Sequence, residues 1–302
     1  MKRMICTLLI LSTLLTLAVP AFAAGSSAPK GYLVLGADLS TEQQKQVMGI
    51  FGIDEPSEYS VSYCTNEQEH KAFDDYLSSS VIGSRAVSSI LLVPKESGSG
   101  IHIKTTHITY VTEEMFQSAL LTSGVKDVDV YVAAPFDVSG TAALLGAMNA
   151  YSAMTGKEVS DTTADAAVNE LVTTGQIADA LNDKETAVEL VALLKQYLAE
   201  HGDEISDEEL GEAIDRICVE LKITLDEDMK AEIISLLRKL QHTNIDMDAF
   251  KQQAGELYDR VSGLMSLFNG GEKVTKEGFL GFLQTLFSGL ADWISGLIKS
   301  RQ

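Results

Sequence analysis

Residues 31–51 read GYLVLGADLSTEQQKQVMGIF, and this stretch joins the two patterns on which the fold depends. Tyr32 to Leu35 is a short unbroken apolar run ended by Gly36-Ala37-Asp38, as expected of a buried strand. Ser40, followed three residues later by Gln43, makes a capping box that opens a helix to about Phe51. A buried strand that feeds a capped helix is a unit of a sheet packed against helices.

The same alternation continues outward. Tyr59-Ser60-Val61-Ser62-Tyr63 alternates strictly and reads as a strand, after which Thr65 caps a helix to about Leu77. Ala86 to Val93 and Ile101 to Tyr110 read as two more strands. Their link, Pro94 to Gly100, is too short for a crossover helix, so an antiparallel hairpin is expected. Thr112 begins a helix to Leu121, Val128 to Ala134 is the last strand, and Ser139 opens a helix to about Met154. The order βαβαββαβα implies a mixed sheet. The last helix is apolar on every side, from Ala142 to Tyr151, which places it between the sheet and the second half of the chain.

Beyond Gly156 the period is helical. Leu210, Ala213, Ile214, Ile217, Cys218 and Leu221 follow a capping box at Ser206, and Met229, Ile233, Leu236, Leu237 and Leu240 repeat the spacing. Ala164 to Leu181, with a break expected at Gly175, and Glu185 to Leu198 do likewise. Phe250 to Phe268 and Phe279 to Ile298 complete a bundle of five or six helices. The class is therefore α/β (α+β), with a mixed-sheet domain over 24–155 and an acidic helical bundle over 156–302.

Ahead of the sheet, Met1-Lys2-Arg3, an apolar run from Ile5 to Val19 and Pro20-Ala21-Phe22-Ala23-Ala24 read as a signal peptide over 1–23, cut after Ala23 with Ala21 and Ala23 as the small cleavage residues. The run is shorter than the roughly 20 residues of a membrane span. The chain carries a net charge of −20, two units more negative without Lys2 and Arg3. Such a surface repels nucleic acid and anionic lipid, and no basic patch offsets it. Beyond the leader only Cys64 and Cys218 remain, so the fold rests on a core rather than a disulfide framework.

Three strings stand out: Leu35-Gly36-Ala37-Asp38-Leu39-Ser40, Ile82-Gly83-Ser84-Arg85-Ala86-Val87-Ser88-Ser89, and Ala133-Ala134-Pro135-Phe136-Asp137-Val138-Ser139-Gly140-Thr141-Ala142-Ala143-Leu144. They resemble the YpuA-like family of exported proteins from Gram-positive bacteria, a domain of unknown function. The resemblance covers about residues 31–155 and implies an extracellular setting without implying an activity. The sequence departs from the family pattern at His107 and Ser123, and neither is given a role.

Candidate site residues gather at strand ends. The turn into the helix at Ser139-Gly140-Thr141 offers backbone N–H groups to an anion such as a carboxylate or phosphate, and Gly140 permits close approach; the plainer reading is that Ser139 caps the helix. Asp38 ends the first strand, where it serves either as a general base beside Ser139 or as a partner of the helix dipole. Arg85, among Ser84, Ser88 and Ser89, is a cation for an acidic ligand or for one of the many carboxylates. His102 and His107 stand at odd spacing on one strand and cannot share a metal, Ser123-Gly124-Val125-Lys126 reads as a turn, and Asp203 to Glu232 lacks a calcium loop. No metal or cofactor is expected. Phe279, Phe282, Phe287 and Trp293 on the last helix suit peripheral contact with a membrane surface or packing into the bundle. The leading expectation is an exported, non-enzymatic binding or scaffolding protein of the cell envelope. The alternatives are a hydrolase or transferase built on Asp38, Arg85, Ser139 and Thr141, and membrane-surface attachment through the last helix.

Overall fold

The computed structural model describes residues 28–201 and 205–243. The signal peptide with Ala21 and Ala23, and the helices expected over 250–268 and 279–298 with Phe279, Phe282, Phe287 and Trp293, lie outside the described residues.

Five strands form one mixed sheet: β1 Tyr32–Gly36, β2 Ser60–Cys64, β3 Ser89–Pro94, β4 Ile101–Ile108 and β5 Val128–Val138, in the order β2-β1-β3-β5-β4. β1 runs parallel to β2 and β4 parallel to β5, while β3 is antiparallel to both β1 and β5. The helices threaded through the sheet are α1 Thr41–Ile50, α2 Asn66–Phe73, α3 Ser79–Ile82, α4 Glu113–Thr122 and α5 Thr141–Thr155. The expected capping boxes at Ser40/Gln43 and Ser206/Glu209 are present, as is one at Thr65/Gln68.

β3 and β4 do not form a hairpin, because β5 lies between them. Composition decides the placement. β5 carries Val128, Val130, Val132, Ala133 and Ala134, all buried, and needs a neighbour on each side, whereas β4 alternates Ile101, Ile103 with His102, Lys104 and suits an edge. Lys95 to Gly100 has only to reach across one strand, about 10 Å at two strand spacings. It passes over Asp127, whose Oδ1 accepts the Gly98 and Gly100 N–H groups at 2.9 and 3.1 Å.

Apolar side chains cover both faces. Leu33, Leu35, Leu91 and Ala133 pack with Leu39 and Val47 on the α1 side. Val34, Ile90, Leu92, Val130 and Val132 pack with α5, α4 and Phe73 on the other. α5 lies against β1, β2 and β3, and Gly146 lets it approach so closely that a Cβ there would sit 3.0 Å from Ile90.

The remaining helices are α6 Asp161–Leu181, α7 Lys184–His201, α8 Asp207–Leu221 and α9 Glu227–Gln241. α4 packs along α6 and is the main bridge to the bundle, a role expected of α5. α6 belongs to both cores: Ala167, Val168, Leu171 and Val172 join the sheet core, and Ala166, Ile177 and Ala178 join the bundle core. Nor does α6 break at Gly175, since a Cβ there would fall 2.4 Å from Tyr110 Oη, and this close approach of Tyr110 explains the glycine. Cys64 and Cys218 are both free and buried, one in each core. Burial pushes their thiols up to about 12 and about 11. Among the described residues no helix is long and apolar enough to cross a membrane.

Candidate functional site

A cavity of about 260 Å³ opens where α2, α3, the end of β5 and the start of α5 meet, lined by Glu69, Val81, Ile82, Arg85, Val87, Phe136, Ser139 and Gly140 among others. Three of the five sequence candidates, Arg85, Ser139 and Gly140, are therefore brought to one place, and Thr141 stands behind Ser139. Asp38 does not line it. Its carboxylate accepts the Ala86 N–H at 2.8 Å, and its carbonyl accepts from the Arg85 guanidinium at 3.1 Å. Asp38 thus fixes the approach to β3 and anchors one edge of the Arg85 guanidinium.

The cavity wall comes from an irregularity in the sheet. Thr106 pairs with Ala133 and Ile108 with Val138, so Ala134 to Asp137 stand opposite His107 alone. This bulge carries Phe136, 43% exposed, to the cavity mouth. His107 takes a positive φ of 59° at the bulge and bonds Asp137 at 2.8 Å, while His102 meets Asp129 at 3.3 Å.

The helix start is built differently from the expectation. Ser139 does not cap α5; Gly140 is the N-cap, at φ 101°, and a Cβ there would lie 2.6 Å from Ile108. The open N–H groups are met by the chain itself. Ala143 N–H donates to Ser88 Oγ at 3.1 Å, and Ala142 N–H donates to the carboxylate of Glu69. Glu69 therefore occupies the place where the sequence suggested an external anion. It also accepts from Thr141 Oγ1 at 2.9 Å, and Thr141 is joined to Ser139 at 3.2 Å. Glu69 is 2% exposed and makes no ion pair among the described residues, and burial pushes its pKa up from the ordinary 4.5 against the pull of these donors. With Glu69 ionised, Thr141 must donate to it, so Ser139 donates to Thr141 and turns its lone pairs to the cavity.

The rim is tied to the same helix. The carbonyl of Gly83 accepts from Asn66 Nδ2 at 3.3 Å and lies 3.0 Å from His70 Nε2, whose Nδ1 meets Asp74 at 2.7 Å. Two acceptors on one imidazole favour the imidazolium. The Asp74 carboxylate, then the Gly83 carbonyl, raises the His70 pKa above 6.5.

A second polar cluster lies at the junction of α4, α6 and α7. Lys195 Nζ is 2.7 Å from Glu170 Oε1 and donates to Ser118 Oγ at 3.0 Å, while Ser118 and Thr122 hydroxyls both donate to Glu170. Glu170 and Lys195 are each 0% exposed. Desolvation lowers the Lys195 pKa even though Glu170 draws it upward. With no opening to solvent, this cluster binds layers together rather than ligands. Near it, Tyr76 hydrogen-bonds Asp165, and Lys239 reaches both, adding a tie from the end of α2 to α6 and α9.

Sequence reading passed over Glu69, Glu170 and Lys195 because charged helix residues default to the surface. A signal was present. Glu69 stands four residues before Phe73, the other buried residue of α2, and Lys195 interrupts the apolar run Val191 to Leu198. Ser123, in the stretch read as a turn, follows α4 and bonds Ala119 O at 2.8 Å.

Comparison with known proteins agrees with the strings that line this site. The family model described as "Protein of unknown function (DUF1002)" matches residues 35–257, which include every residue of the cavity. The uncharacterized protein YpuA of Bacillus subtilis (strain 168) is 33% identical over 266 residues, 88% of this chain and 91% of that protein. No solved structure matches the chain. The chain is a member of the DUF1002 family, to which its resemblance to YpuA-like proteins had pointed.

Proposed function

We propose that this chain is an exported binding protein of the cell envelope and that the cavity beneath Phe136 is where it holds its ligand. One observation carries this reading: Arg85 and the Ser139-Gly140 turn, distant from each other in sequence, converge on one open cavity with apolar walls, the usual form of a small-molecule site. Export rests on the leader-like residues 1–23.

The test has two parts. Sequencing the exported chain should find its start after Ala23; Met1 on a cytosolic chain would end the export reading. Native mass spectrometry after incubation with envelope extract should show a bound small molecule on the wild type and none on Val81→Trp, which fills the half-buried rim. The same bound species on both, with unchanged circular dichroism, would remove the cavity from the proposal.

The chain of bonds from Ser139 through Thr141 to Glu69 supports a second reading, a hydrolase in which Glu69 receives the Ser139 proton through Thr141. Turnover of model esters by the wild type, lost in Ser139→Ala, would favour it. Membrane attachment through the last helix concerns residues outside those described.

A further inference from the structure

Taking the cavity as the ligand site, we propose that its ligand is a compact apolar molecule ending in a carboxylate, with Arg85 as the anion partner. The position of Arg85 on an otherwise largely apolar wall carries this. Arg85 lines the cavity, is exposed, and pairs with no carboxylate among the described residues; one N–H goes to the Asp38 carbonyl. A guanidinium has five donors in a planar fork, so most of that fork remains for a carboxylate, which it can grip with two bonds.

The floor does not compete for that role. Glu69 is engaged by Thr141, Asn66 and the Ala142 N–H, and Ser88 accepts from Ala143. Among the lining residues Arg85 is the cation offered to an incoming molecule, while Glu69 is turned to its own donors. The walls are Val81, Ile82, Val87, Phe136 and Val138, which suit hydrocarbon. Size limits the ligand further. A volume of about 260 Å³ falls just below the range of roughly 300–1,000 Å³ typical of ligand pockets, enough for one branched or aromatic side chain and its head group but not for a long acyl chain. An N-acylated apolar amino acid and the last residue of a peptide share this chemistry.

Calorimetric titration of the full chain, as purified from cells, distinguishes these cases with four probes: N-acetyl-leucine, its amide, and a tetraglycyl-leucine peptide with a free or amidated end. The free acid should bind at least tenfold more tightly than its amide, and Arg85→Gln should bring that ratio to about one. Peptide acid binding as tightly as N-acetyl-leucine assigns a peptide terminus; failure of the peptide acid alone assigns the small acid. Equal binding of acid and amide overturns the inference and leaves the cavity as the ligand site. Absence of binding by all four also overturns it; the cavity reading then falls only if Val81→Trp retains the species captured from envelope extract.

Discussion

Two buried glutamates, Glu69 and Glu170, show how differently one residue type is used in the two regions of this molecule. Both accept hydrogen bonds from hydroxyls: Thr141 for Glu69, Ser118 and Thr122 for Glu170. Glu170 also has Lys195, and the pair is sealed among α4, α6 and α7. Glu69 has the start of a helix instead of a cation, and its neighbours open onto a cavity. A closed ion pair fixes how layers sit. A carboxylate held by one hydroxyl, a side-chain amide and a backbone N–H, with no cation, leaves its surroundings adjustable and accessible, which is what a binding site requires.

The largest effect should come from breaking the closed pair. Removing one member leaves a buried charge uncompensated, so Lys195→Met should destabilise the chain by about 3–5 kcal/mol in urea denaturation. Glu170→Leu with Lys195→Met should recover part of that loss; a double variant as unstable as the sum of the singles would show that the pair is not coupled.

Next is the backbone of the cavity. Gly140→Ala forces a Cβ to 2.6 Å from Ile108 at φ 101°, and a cost of about 1–3 kcal/mol is expected. A fully stable Gly140→Ala would mean that the turn relaxes easily and is not held as described.

Glu69 sharpens the comparison through pH. Its folded pKa is raised by burial, so the folded state binds more protons than the unfolded state between the two values. The stability it contributes is complete below 4.5 and is lost as pH rises through the raised folded pKa. Glu69→Gln should therefore gain on the wild type between pH 4 and pH 8 in paired denaturation curves; a constant difference would contradict the burial of an ionisable carboxyl there.

The smallest effect belongs to His70. Its pKa is raised chiefly by Asp74 and then by the Gly83 carbonyl, so its contribution is complete below 6.5 and is lost as pH rises through the raised value. The deficit of His70→Gln against wild type in melting temperature should shrink from pH 6 to pH 9. A deficit that grows would place a neutral ring on the rim.

Much of the fold was legible where local chemistry is self-contained. Ser40 with Gln43 and Ser206 with Glu209 declare their helices, and Tyr32 to Leu35 declares a buried strand. The position of β5 was not legible as a local pattern, since a short link suits a hairpin as well as a step across one strand; the alternation from Ile101 to Lys104 in β4 was the clue to its edge. Gly175 looked like a helix break because the packing of Tyr110 against it is a long-range fact. At the site, Arg85 and the Ser139-Gly140 turn were legible as two separate hints, but Glu69 on α2, which lines the same cavity and bonds Thr141, was not, because its burial is a long-range fact.

The most direct measurement of the contrast is an amide shift map of the full chain titrated with N-acetyl-leucine. Shifts should appear at Gly83, Ser84, Arg85, Ser139 and Gly140, while the amides of Ser118, Thr122, Glu170 and Lys195 stay in place. Shifts centred on the α4–α6–α7 junction would contradict the assignment of one buried glutamate to architecture and the other to recognition, and an unchanged cavity would overturn the carboxylate ligand.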